Sequence, residues 1–137
     1  MTFRIFTAFI GLVALAACQV SEMPQAQDGR SLYQANCAVC HGAGGRGDGP
    51  MARAMAKPPK DLTLIAVRHD NSFPRAKIMS IIDGYARSDM DGPGMPEFGV
   101  MLEGDEVPFD SGDGRQTPTP RKLVALLEYI ESIQATR

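Results

Sequence analysis

The sequence predicts an all-α domain, three to five short helices joined by long irregular loops. Three observations lead there. Leu123, Leu126, Leu127 and Ile130 recur at intervals of 3, 4 and 7, the stripe of an amphipathic helix. No segment alternates as a convincing strand would. Fourteen glycines and ten prolines in 137 residues break up the rest into loops.

Taken in order, Asp28 is placed to N-cap a helix from Gly29 to His41, with Leu32, Ala35 and Val39 near one stripe. Gly42 to Pro50 is glycine-rich and reads as a loop that turns tightly. Met51 to Ala56 suits a short helix, ended by Pro58 and Pro59, which lack a backbone donor. Ser72 or Asn71 would cap a third helix carrying Ile78, Ile81 and Ile82, closed by Gly84. Thr119 would cap the last, with Pro120 at its first position.

Cys37-Ala38-Val39-Cys40-His41 carries the chemistry. A C-x-x-C-H run is the attachment signal for haem c: two sulfurs add across the porphyrin vinyls, and the histidine that follows lies under the iron. The competing readings are weaker. Zinc needs two more soft ligands, and the remaining Cys and His are only Cys18 and His69. A redox dithiol wants a preceding strand, whereas helix precedes Cys37.

The N-terminus reads as a leader. Arg4 gives a positive start, Ile5 to Ala17 is an apolar stretch of thirteen residues, and Leu15-Ala16-Ala17-Cys18 resembles a lipobox. Thirteen residues are too few to span a bilayer comfortably. The expected organisation is a lipoprotein signal peptide over 1–17, lipidation at Cys18, a flexible tether over 18–27 and one domain over 28–137. The alternative is an ordinary signal peptide with a chance cysteine beside its cleavage site. Either leader exports the chain to the bacterial periplasm, where haem c is attached. In some bacteria Gln19 after the lipidated residue points to the outer membrane.

Charge is uneven. Residues 28–87 carry nine positive and five negative side chains, 88–113 none and eight, and 114–137 four and two. A net charge near −3 after loss of the leader argues against nucleic acid as a partner. The pattern suits either electrostatic steering of a redox partner or a solvated acidic loop. The acids of residues 103–113 do not follow the EF-hand ligand order and read as a surface loop.

From Gly29 to Gln134 the chain resembles the class I (monohaem) cytochromes c of bacterial type. Gly29-x-x-Leu32-Tyr33-x-x-x-Cys37-x-x-Cys40-His41-Gly42 matches their first helix, and Gly94-Met95-Pro96-x-Phe98 their distal-ligand region. Gly47-Asp48-Gly49-Pro50 and Pro59-x-Asp61-Leu62-Thr63 resemble the segments that follow the first helix, and Asp83-Gly84 belongs with the distal-ligand region. Leu126-x-x-Tyr129-Ile130 resembles the terminal helix, which in that family crosses the first where Gly29 and Tyr129 stand.

The resemblance implies the class I cytochrome c fold, one covalent haem c on Cys37 and Cys40, and His41 and Met95 as axial iron ligands. It also implies that the Pro50 carbonyl orients the His41 ring; the alternative is that Pro50 is only a helix-start residue. Seven methionines follow the leader, and Met95 lies 54 residues beyond His41 between Gly94 and Pro96. Met90 and Met101 are its competitors, and His69 the alternative nitrogen ligand, more simply a loop histidine. Tyr33 and Phe98 read as haem-wall or core aromatics. Arg46, Arg53, Lys57 and Lys60 are candidates to reach the haem propionates.

The function expected is electron transfer without enzymatic turnover, with an unidentified redox donor and acceptor, by a protein held at a membrane through its lipid. Two alternatives stand beside it. One is a subunit of a larger periplasmic oxidoreductase or respiratory complex, which would copurify with it. The other is a haem sensor or enzyme with a displaceable methionine, which would show high-spin iron and bind carbon monoxide.

Overall fold

The structure, a computed structural model, describes residues 22–86 and 95–135. The leader, Cys18, Met90 and Gly94 lie outside these described residues. Helix α1 runs over Ala26–Asn36, and a short α2 follows over Ala38–His41. The predicted single helix is therefore two, parted at Cys37. It also begins three residues before the expected start, because Asp28 acts from inside the first turn. Its carboxylate reaches back to accept the Gln25 N–H at 2.7 Å, satisfying one of the donors a helix start leaves over.

Three 3₁₀ turns follow, Ala52–Ala54, Leu62–Leu64 and Val67–His69, the first falling within the short helix expected at 51–56. Helix α3 spans Arg75–Asp83 and ends at Gly84, whose φ of 105° closes it in the left-handed region. Its N-cap is Pro74, not Ser72 or Asn71. Asp70 and Asn71 have φ of 54° and 62°, a turn conformation those side chains tolerate, and capping requires an extended backbone instead. Helix α4 is a single turn, Gly99–Leu102.

The all-α expectation needs one correction. Glu106–Phe109 and Thr117–Pro120 form antiparallel strands β1 and β2, paired Glu106 with Pro120, Val107 with Thr119, Pro108 with Pro118 and Phe109 with Thr117. Prolines hide these strands from sequence reading. All three sit on alternate pairs, the class that exchanges no ladder hydrogen bonds, so their missing N–H costs nothing there. The acidic segment is thus partly a hairpin. Thr119 is a buried strand residue whose hydroxyl donates to the Thr117 carbonyl, and Pro120, not Thr119, caps the last helix.

That helix, α5, spans Arg121–Ser132 and organises the core on two sides. Leu123, Leu126, Tyr129 and Ile130 join Tyr33, Ile65, Ile82 and Leu102 in one cluster. Val124 and Leu127 join Val107 and Phe109 in a second, under the hairpin. Burying each such side chain contributes about 1.5–3 kcal/mol, so an α5 apolar on both flanks is held firmly. Ile78 and Met79 of α3 pack against both clusters. Arg75 clips the layers together: its guanidinium lies 5.5 Å from the Phe109 ring centre and pairs with Glu128 at 3.2 Å and Glu131 at 2.5 Å. Among the described residues no helix is long and apolar enough to cross a membrane.

Candidate haem site

Cys37, Cys40 and His41 stand together on α2 because α1 breaks just before it. Cys37 still donates its N–H to the Tyr33 carbonyl at 2.8 Å, so the two helices share a joint rather than a loop. His41 donates to the Cys37 carbonyl at 2.8 Å, and Gly42 to the Ala38 carbonyl at 2.9 Å, closing the turn. Gly42 has φ of 81°, and a β-carbon there would run into the Asp48 carboxylate, so glycine is required.

The carbonyls at the end of a short helix have no partners within it. Here the loop beyond Gly42 folds back to supply them. Gly47 donates to the His41 carbonyl at 2.8 Å, Gly49 to that of Cys40 at 3.2 Å, and Met51 to that of Val39 at 3.0 Å. The loop is itself pinned by the Leu62 N–H on the Gly45 carbonyl at 2.6 Å. The Leu62 turn is then held to the chain's far end by Gln134. Its amide donates to the carbonyls of Leu62 and Ile130, both at 2.8 Å, and accepts from the Ala66 N–H at 2.9 Å. Sequence reading missed both devices. The first is main chain and carries no residue signature, and the second joins residues about seventy positions apart.

Both cysteines are half-buried free thiols. Burial, and then the neighbouring Cys40 charge, push the Cys37 thiol up to about 11. Burial alone pushes the His41 pKa down, favouring the neutral imidazole with a lone pair to give. His41 Nδ1 is buried and has no hydrogen-bond partner among the described residues, the Pro50 carbonyl included. Tyr33 is fully buried against Tyr129, ring centres 5.0 Å apart, and its hydroxyl donates to the Gly42 carbonyl at 2.8 Å. Burial first, with the charges of Cys37, Tyr129 and Asp48, pushes its phenol well above the usual range, so it remains a donor.

The methionines separate by position. Met95 is half-buried against the same cluster that Cys37 packs on, together with Leu32, Leu62 and Phe98. Its segment is tied to α3 through the Phe98 N–H on the Ile82 carbonyl at 3.2 Å. Met79 is taken up by core packing. Met51 and Met101 are 52% and 46% exposed. His69 is half-buried in its 3₁₀ turn, where Nδ1 donates to the Ile65 carbonyl at 2.9 Å. Arg46, Arg53, Lys57 and Lys60 are all exposed.

These residues fit a haem. Cys37 and Met95 pack against one apolar cluster, and Cys40 and a neutral His41 with an unanswered ring nitrogen stand on the same turn as Cys37. Among the described residues no three His, Cys, Asp or Glu side chains gather round a metal ion, so the zinc reading finds no ligand set. The Cys37–His41 turn, with Tyr33 of α1 packed on Tyr129 of α5, suits a c-type cytochrome domain.

A family model described as cytochrome C oxidase, cbb3-type, subunit III matches residues 24–107, more than half of the chain, and the chain belongs to that family. No curated relative and no solved structure matches it.

Proposed function

We propose that this protein carries one haem c, joined by thioethers to Cys37 and Cys40, with His41 and Met95 as the axial ligands. The observation that carries the reading is the fixed Cys37–His41 turn, whose three trailing carbonyls are all answered by the returning loop. The haem would supply a one-electron redox centre. The chain's part is to hold it. Cys37 and Cys40 fix it in place, His41 gives an imidazole nitrogen, and Met95 gives a thioether, a ligand that raises the potential. With both axial positions filled there is no open site for a substrate, which favours electron transfer over sensing or turnover. Pro50 remains the position the resemblance assigns to orienting His41, although its carbonyl does not accept from Nδ1 here.

The leader and Cys18 would export the protein to the periplasm and anchor it by lipid to a membrane, near its redox donor and acceptor. Family membership favours a second reading beside the free carrier: an electron-transfer subunit within a cbb3-type respiratory oxidase. Gentle detergent extraction separates the two, because a subunit comes off with its oxidase and a carrier comes off alone.

The test of the central reading is the intact mass of protein purified from a host with haem-attachment machinery. The mass should exceed the lipidated polypeptide by one haem, and Cys37→Ser with Cys40→Ser should remove it. A wild-type mass without haem overturns the reading.

A further inference from the structure

We propose that the domain is held with its hairpin end toward a phospholipid surface and its Cys37–His41 turn away from it, because the segment that follows the lipid is strapped to the hairpin. The proposal rests on the reading of Cys18 as a lipidated residue. From Glu22 on, the segment before α1 is part of the fold. Arg121, the first residue of α5, donates from its guanidinium to the Glu22 carbonyl at 2.6 Å. Pro24 is buried, and Met23, Pro24 and Gln25 line one cleft with Pro108, Phe109 and Gln116 of the hairpin. The Asp28 carboxylate accepts the Gln25 N–H at 2.7 Å and joins this strap to the start of α1.

Lengths decide what the strap permits. Cys18 stands four residues before Glu22, a reach of about 14 Å at full extension. Helices α1 and α5 both run from the strap toward the haem turn: Gly29 lies against Ala125 and, one turn on, Tyr33 meets Tyr129. Helix α1 ends one residue before Cys37. The far end of α5 reaches the loop behind the turn, where Ile133 approaches Gly45 and the Gln134 amide donates to the Leu62 carbonyl. At about 1.5 Å per residue, the eleven residues of α1 cover about 16 Å and the twelve of α5 about 18 Å. The leash is shorter than either helix. An inverted domain, with its haem turn on the lipid and the hairpin above, is out of reach.

The hairpin end does not adhere by charge. Glu103, Asp105, Glu106, Asp110 and Asp113 outnumber Arg115, Arg121 and Lys122 along the hairpin and the start of α5, and anionic headgroups repel them. That repulsion acts over about 8 Å at physiological ionic strength, within the leash, so this end stands off without turning over. The covalent lipid sets the orientation. A haem turn facing the water layer fits a redox partner whose own centre stands clear of the bilayer.

The test uses haem-loaded full-length protein, without an affinity tag, on vesicles of phosphatidylethanolamine and phosphatidylglycerol. A nitroxide is attached through Gln116→Cys on the hairpin or Ala54→Cys in the turn that packs on α2, both exposed positions. Its spin relaxation is compared with and without a nickel-chelating lipid in the vesicle, which cancels the effect of the haem iron. Nickel should speed relaxation several-fold more for Gln116→Cys than for Ala54→Cys. Equal effects, or a larger one for Ala54→Cys, overturn the proposal. Inserting about ten Gly and Ser residues after Val20 should erase the difference, because the leash then exceeds both helices. A difference that survives the insertion shows that the strap does not set the orientation, and overturns the proposal too. Intact mass separates the two readings. A chain with haem but no lipid sinks the Cys18 reading and this proposal with it, whereas a lipidated chain with equal effects sinks this proposal alone.

Discussion

Gly29 of α1 and Ala125 of α5 meet backbone to backbone, with no room for a β-carbon between them. A side chain at position 29 would collide with the Ala125 carbonyl and come within 2.9 Å of Tyr129 Cβ. Alanine is the better helix former by about 1 kcal/mol. The obstacle is helix backbone that cannot swing aside, and overpacking of this kind costs about 1–3 kcal/mol. Gly29→Ala should therefore lower the urea midpoint with an unchanged slope. A midpoint at or above wild type would show that the helices part without cost.

Met95 and Met101 are six residues apart and differ in which way they face, toward the core cluster or toward solvent. The oxidised protein should show the weak red-edge band of sulfur-ligated haem iron, and Met95→Ala should abolish it and lower the midpoint potential. Met101→Ala should leave both untouched. If the band instead disappears with Met101→Ala, the sulfur ligand has been misassigned.

Phe109 ties the hairpin to α5 and stacks beneath Arg75, yet belongs to the core cluster away from the haem turn. At 4% exposure its truncation to alanine should cost about 3–5 kcal/mol. Chemical denaturation measures that loss. The haem absorption spectrum of the folded variant should stay as in wild type, and a changed spectrum would join the hairpin to the site.

The Asp110 carboxylate is held below its ordinary pKa chiefly by the Gly112 N–H, with Gly114 and Asp113 adding to it. A folded pKa below the unfolded value of about 3.9 stabilises the loop above that pH, and the contribution fades as pH falls through the folded value. In acid titrations by NMR, the amides of Gly112, Asp113 and Gly114 should shift together only at the acid end. Asp110→Ala should abolish that shift, and a titration at or above the usual carboxylate range would contradict the geometry.

Much of this was legible in the sequence, for reasons that can be named. Gly29, Tyr33 and Tyr129 meet where the resemblance placed the helix crossing. The terminal stripe did mark a buried helix, although Leu127 faces the second cluster rather than the one shared by Leu123, Leu126 and Ile130. The break at Cys37 was invisible, because nothing in Asn36-Cys37-Ala38 is a helix breaker. The hairpin was obscured by prolines that occupy only the pairs where no donor is called for. Capping was misread at Thr119 and Ser72 because a hydroxyl before an apolar run suits a strand or a turn as well as a cap. The answering of the haem turn's carbonyls is a main-chain matter, and residue types do not spell it out.

The α1–α5 crossing sets how the domain comes into being. It joins segments about ninety residues apart, so ring closure over almost the whole domain must precede the gain from packing them. No N-terminal fragment carrying the Cys37–His41 turn contains its own partner surface. A chain cut before Arg121 should bear its thiols on a segment with little lasting order, an easy target for proteases.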